Sequence, residues 1–279
     1  MSSCILPHGK GILINNESFP TKGSHLMLTI LLYLLLGIAT GTFGTLVGLG
    51  GGIILIPVFL LVFGWSAQNV VATSLCVVFF NALSGTLAYI RQKKVYYDAA
   101  IRFALCTVPS ALIGSYVAHF FTGDTFRTVF GCFMIATAIF LAYRRKKLVP
   151  VREFDPKTFT YNRPLGMFAS VGAGFLSSVL GIGGGVVHVP TMIYALKFPA
   201  HVAAATSTFV LAVSSLVGVI SHFALGHVLL VPALAIGIGA VIGAQLGARI
   251  SKKTKPTSIM NLLTLAQIVV GIQLILNAR

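Results

Sequence analysis

The sequence predicts an all-α integral membrane protein made of two homologous repeats of about five membrane segments each, the second inverted relative to the first. Three observations lead there. Of the 279 residues, 56% are hydrophobic and only 9% charged, with a mean hydropathy of +0.94. A soluble domain is nearer half apolar and about a quarter charged, so water alone cannot solvate this surface. The apolar residues gather into runs close to the roughly 20 residues that a bilayer crossing needs. One glycine and proline pattern then occurs twice at a constant spacing.

Along the chain, the first set of apolar runs covers 26–47, 50–64, 66–90, 98–119 and 127–143. The second covers 165–182, 183–196, 200–224, 228–248 and 257–277. None alternates apolar and polar residues as the strands of a membrane barrel must. Runs 50–64 and 183–196 are short, which predicts Gly/Pro-interrupted hairpin segments. Residues 1–25 hold Pro, Gly, Asn and Lys without the apolar core of a cleavable signal, and are read as a disordered N-terminal tail. The first membrane repeat then spans 26–143, a basic linker 144–164, and the second repeat 165–279. Asp98 stands where a helix over 98–119 would start, and is expected to cap it.

The duplication is visible residue by residue. Gly48, Gly50, Gly51, Gly52 and Pro57 recur as Gly181, Gly183, Gly184, Gly185 and Pro190, at an offset of 133 that also maps Ala72-Thr73-Ser74 onto Ala205-Thr206-Ser207 and Gly85 onto Gly218. With a four-residue gap, Ser110, Gly114 and Ala118 fall on Gly239, Gly243 and Gly247, small residues at helical spacing that read as packing surfaces.

Charge sets the orientation. If each Gly-rich stretch is a hairpin, loops 91–97, 144–163, 197–199 and 249–255, together with Arg102, hold all of the 20 basic residues except Lys10, Lys22, Arg127 and Arg279. Such a face is cytoplasmic under the positive-inside rule. Five segments per repeat is an odd number, so the copies point in opposite directions, an arrangement common among secondary transporters with a site near the midplane. The net charge of +15 therefore belongs to loops, and a nucleic-acid partner is not expected. The expected location is the inner (plasma) membrane, with basic loops 91–97, 144–163 and 249–255 cytoplasmic.

Consecutive glycines cost about 1 kcal/mol each in a helix interior, and loosened backbone within a membrane survives only where protein buries it or water reaches it. Gly48, Gly50, Gly51 and Gly52, with Gly181, Gly183, Gly184 and Gly185, are therefore candidate site residues, since helix starts beyond them offer N–H groups to an anion. Thr73, Ser74 and Asn81, with Thr206, Ser207 and Thr208, add hydroxyl and amide donors. His188 lies within the second hairpin, and the first half has no matching histidine. The five acids, Glu17, Asp98, Asp124, Glu153 and Asp155, lie outside the membrane interior. A carboxylate relay or sodium cage is therefore not expected. Cys4, Cys76, Cys106 and Cys132 form no CxxC pair, so no metal site is expected, and no cofactor. Ile53 stands where a dinucleotide fingerprint needs its last glycine. No nucleophile–base pattern, HExxH or phosphate loop occurs, so no enzyme chemistry is expected.

At these hairpins, the Ala-Thr-Ser steps and the twofold arrangement, the chain resembles the sulfite exporter TauE/SafE family, also called the 4-toluene sulfonate uptake permease family, over residues 28 to 277. The resemblance implies a secondary transporter moving small sulfur-containing anions such as sulfite, sulfonates or sulfoacetate by alternating access. A passive anion channel and a carrier of another small anion are the alternatives. The expected partners are the anion and membrane lipid, and a homodimer is left open.

Overall fold

The computed structural model describes residues 23–120, 123–145, 158–251, 264, 267–268 and 271–276. Residues 1–22 of the expected tail, most of the linker and most of segment 257–277 lie outside them, while 23–25, read from sequence as tail, open the first helix. Among the described residues there are only helices: α1 (Gly23–Val47), α2 (Gly52–Leu61), α3 (Ala67–Arg91), α4 (Tyr97–Ala118), α5 (Gly123–Arg145), α6 (Arg163–Leu180), α7 (Gly185–Ala195), α8 (Ala200–Ala224) and α9 (Leu230–Ile250), with further helical residues at 271–276. Five of these, α1 from Leu26, α3, α4, α8 and α9, are long and apolar enough to cross a membrane. Leu105, Ile113, Phe168, Ile220 and Ile238 are all more than half exposed on their outer faces (67, 59, 79, 61 and 58%). So much outward apolar surface fits lipid and not water. The fold is that of a multi-pass membrane protein.

Local chemistry sets the ends. Ser66 accepts from the Asn69 amide and Asn162 from the Leu165 amide, capping α3 and α6. The breaks between α1 and α2, and between α6 and α7, fall at the glycines and not at the prolines, because Gly48, Gly50 and Gly51 (φ 78, 81 and 82°) and Gly181 and Gly183 (φ 72 and 73°) adopt left-handed backbone. Pro57 sits inside α2. Pro190 is followed by a π-helical turn over Thr191–Ala195, which accommodates the missing N–H.

The short helices return to the face they came from. Phe63, just past α2, lies 5.6 Å from Tyr33 in the first half of α1, and Phe198, just past α7, lies 5.3 Å from Tyr161 just before α6. Ten or eleven residues of helix span only about 15 Å, half the bilayer core. Around these hairpins the packing pairs reciprocate: α1 lies along α9 as α6 lies along α4, and α3 meets α9 as α8 meets α4. The carbonyls of Leu34, Ile38 and Thr42 abut Gly239, Gly243 and Gly247, so α1 and α9 run parallel with backbones in contact. Gly114 against Phe175 and Gly174 against Thr107 do the same for α4 and α6.

One face gathers the basic loops. Gln92 donates to the Ala248 carbonyl, Tyr96 lies 5.8 Å from Phe198, and Arg163 pairs with Asp98 at 3.7 Å. Asp98 is not the cap that the sequence suggested. α4 begins one residue earlier, and the carboxylate instead accepts from Arg102 Nε at 3.0 Å and from the Tyr161 hydroxyl at 2.8 Å. Two cations and a phenol within reach outcompete the backbone amides. Burial, and then this bond to Asp98, push the Tyr161 phenol above its ordinary range.

Two predictions follow from the backbone and the packing. Lys93 and Lys197 take left-handed backbone (φ 56 and 62°) where the equivalent positions of the other half, Gly226 and Gly64, are glycine. Lys197→Gly should therefore raise resistance to chemical unfolding in detergent by about 0.5–1 kcal/mol, and unchanged or lower stability would contradict this. Gly243→Val should lower stability by about 1–3 kcal/mol, because its side chain meets the Ile38 carbonyl. The same assay reads it.

Candidate functional site

The two hairpin tips meet inside the protein. A Cβ on Gly52 would lie 2.8 Å from Ile182 Cα, and one on Gly185 2.8 Å from Leu49 Cα. Gly50 and Gly183 both face the same two side chains, Val78 of α3 and Leu211 of α8. Gly48 abuts the Ala204 backbone and Gly181 the Val71 backbone, while Gly51 and Gly184 abut the Thr40 and Ala173 carbonyls. Every one of these pairs maps onto its partner at the offset of 133. The candidate glycines are thus brought together, Gly50 and Gly183 against side chains and the others where backbone passes backbone.

The predicted hydroxyls divide. Ser74 Oγ donates to the Gly181 carbonyl at 2.9 Å, and Ser207 Oγ to the Gly48 carbonyl at 3.2 Å. Each central helix thereby holds the tip of the opposite half. Thr73 Oγ1 accepts from the Leu229 amide and Thr206 Oγ1 from the Tyr96 amide. These two secure loops at the ends of α8 and α3 and do not face the tips. Thr208 bonds back to the Ala204 carbonyl. Its methyl carbon lies 3.1 Å from a Cβ placed on Gly85, whose other neighbour is Thr45.

Asn81 stands apart. It is fully buried, its Oδ1 accepts from Thr45 Oγ1 at 2.9 Å, and its Nδ2 has no partner. Across the pseudo-twofold relation, the hydroxyls of Ser177 and Ser178 are also fully buried without partners. Ser178 Oγ lies 3.4 Å from a Cβ on Gly218, as Thr45 lies against Gly85. His188 is buried and stacked 6.0 Å from Phe103, with Nε2 unpartnered. What this interior offers is uncharged hydrogen-bond donors. The described carboxylates, Asp98 and Asp124, sit in the first turns of α4 and α5. Among the described residues no three His, Cys, Asp or Glu side chains are placed to hold a metal ion.

Thr45, Ser177 and Ser178 were not among the residues singled out from sequence. The signal existed, since Thr45 and Ser178 are matched at the repeat offset and each precedes its hairpin glycine by three residues.

An all-helical, lipid-facing fold with re-entrant hairpins and buried donors defines a class, the multi-pass membrane transporters. The comparisons give the family. The profile of the sulfite exporter TauE/SafE family matches residues 33–274. The probable membrane transporter protein YunE of Bacillus subtilis (strain 168) is 36% identical over 267 residues, covering 89% of this chain and 98% of that one. A probable membrane transporter protein of Methanocaldococcus jannaschii is 28% identical over 265 residues, covering 90% and 97%. No solved structure matches. The chain belongs to the sulfite exporter TauE/SafE family. It is a membrane transporter, not an enzyme.

Ser74→Ala and Ser207→Ala should each cost about 1–3 kcal/mol by leaving a hairpin carbonyl unpaired, read by thermal unfolding in detergent. A loss below a few tenths for both would mean that the carbonyls find other donors.

Proposed function

We propose that this protein is a secondary transporter for a small sulfur-containing anion of the sulfite or sulfonate type, working by alternating access. In this reading the halves 26–143 and 165–279 are inverted repeats, joined by a cytoplasmic linker at 144–164, in the inner (plasma) membrane. Loops 91–97, 144–163 and 249–255 face the cytoplasm. Support for the inversion comes from the reciprocal packing and from the parallel pairs α1–α9 and α4–α6. Support for the orientation comes from the clustering of basic loops.

The observation that carries the anion reading is the set of buried, unpartnered donors beside the hairpin tips: Asn81 Nδ2 and the hydroxyls of Ser177 and Ser178. A buried donor without a partner costs about 1–3 kcal/mol, and an oxyanion supplies several acceptors at once. Sulfur oxyanions present three or more oxygens in a compact shape, acceptors that such donors lack. The hairpin glycines Gly48, Gly50, Gly51, Gly52, Gly181, Gly183, Gly184 and Gly185 let backbone approach the same region. Ser74, Ser207, Thr73, Thr206 and Thr208 hold this region in shape rather than contact the anion. His188 adds a further unpartnered nitrogen near α4. Alternating access would exchange the two hairpins between equivalent environments, which near-identical contacts at each tip make inexpensive.

The test is counterflow in proteoliposomes with sulfite, thiosulfate, methanesulfonate, sulfate and acetate, alongside thermal stabilisation by each ligand. Saturable exchange of sulfur oxyanions, with Asn81→Ala and Ser178→Ala each weakening apparent affinity about tenfold, roughly one lost hydrogen bond to a charged ligand, is the expected result. Wild-type affinity in both variants would remove the site assignment. Flux that never saturates would turn the reading to a channel. Gly184→Leu should insert normally and transport nothing, because its side chain meets the Ala173 carbonyl.

A further inference from the structure

On the face opposite the basic loops, three histidines from different parts of the chain converge. His119 caps the C-terminus of α4, His222 lies in the last turn of α8, and His227 lies in the loop before α9. The His119 and His227 rings stack with centroids 5.8 Å apart, and the His227 and His222 rings lie 6.2 Å apart. Exposure falls along this line. His119 is exposed, His227 half-buried and His222 buried, with Nε2 at 3.4 Å from the Ser178 carbonyl. The spacing is too wide for one metal ion to bind all three, yet each ring reaches the next.

The first half supplies the control. At the repeat offset, His222 corresponds to Tyr89, whose hydroxyl donates to the Thr45 carbonyl at 2.8 Å. Thr45 corresponds in turn to Ser178. Both side chains thus serve a last-turn carbonyl at the base of a hairpin, a task that the phenol performs without titrating near neutral pH. A histidine is not needed for that bond. With Nε2–H donated to Ser178, Nδ1 of the neutral ring is a lone-pair acceptor, and it is buried without a partner, as is Nδ1 of His227.

We propose that His119, His227 and His222 form a proton-binding site at this face, and that its occupancy is linked to the α6–α7 hairpin through the Ser178 carbonyl. The proton adds to the free Nδ1 of His222 or His227, producing an imidazolium; His222 lies against the Ser178 carbonyl, at the helix end that carries the unpartnered Ser177 and Ser178 hydroxyls. Coupling to the anion rests on the transporter reading above. An anion near those hydroxyls stabilises the imidazolium, and by reciprocity the proton strengthens anion binding.

The surrounding charges leave the site to itself. α4 brings Tyr116 beside His119, and α5 begins with Asp124 and Arg127, which pair with each other at 3.8 Å. α3 brings Thr73, bonded to Leu229, and Cys76 three residues on. α6 and α9 carry Arg163 and Arg249 at the opposite face, as α8 carries His201. Burial, with His119 as the second cause, holds the His227 imidazole below its ordinary value. Burial thus disfavours the charged ring at His227, and an anion nearby would offset that cost.

Two experiments test this separately. The first needs no substrate. Histidine-selective NMR titration of the full chain in detergent should show His227 titrating at higher pH in His119→Gln, by roughly half a unit, the coupling of two charges about 6 Å apart in a water-like medium. An unmoved midpoint overturns the cluster. The second uses sulfite in proteoliposomes. An imposed pH gradient should drive several-fold accumulation in the wild type. His222→Tyr, which installs the residue of the first half, should keep counterflow at equal pH and lose the gradient-driven accumulation. Counterflow without gradient dependence in the wild type, or gradient drive intact in His222→Tyr, overturns the proposal. Absence of counterflow with any anion tried overturns the transporter reading instead, and the NMR titration then decides the proton site alone.

Discussion

The constraint on which this structure depends is the burial of non-helical backbone inside a membrane protein. A helix that stops in mid-membrane leaves its last carbonyls and first amides without partners, and lipid supplies none. Here α1 and α6 both stop there, and the carbonyls at each end are met partly by the same half and partly by the other. Ser207 reaches the Gly48 carbonyl, Ser74 the Gly181 carbonyl, Tyr89 the Thr45 carbonyl and His222 the Ser178 carbonyl. Each hairpin thus draws one partner from its own half and one from the other. The two serine clamps tie each hairpin to the opposite half, so the repeats hold each other in place.

Once the tips face one another, side chains become obstacles. Gly52 against Ile182 and Gly185 against Leu49 leave no room for a Cβ, and Gly50 and Gly183 close on Val78 and Leu211. Tight backbone contact along α1–α9 and α4–α6 then frames the hairpins, and α3 and α8 fill the centre. Dispersion between close backbones replaces the hydrophobic drive that lipid removes between helices. Among the described residues, the donors left over beside the hairpins include those on Asn81, Ser177 and Ser178.

Much of this was legible in residue order. The hairpin glycines were readable because glycine's left-handed backbone is a property of one residue type, and the register of 133 exposed their partners. The serines of the Ala-Thr-Ser steps were flagged as ligands, yet Ser74 and Ser207 turned out to hold carbonyls. A sequence lists hydroxyls without saying which are already engaged. Thr73 and Thr206, one residue away, point to loops because successive residues on a helix lie about 100° apart. Asp98 escaped a correct reading for a similar reason, since Tyr161 and Arg163, which claim its carboxylate together with Arg102, come from some sixty residues along the chain.

By itself the sequence determined the membrane class, the two repeats, the break points of the hairpins and the family. Each of these rests on composition or on local backbone chemistry, which neighbours in space do not change. Tertiary structure alone decided that the short segments re-enter instead of crossing, which donors remain unpaired, and that His119, His222 and His227 form one cluster. Those facts depend on the distance between residues far apart in the chain, and only packing fixes that distance.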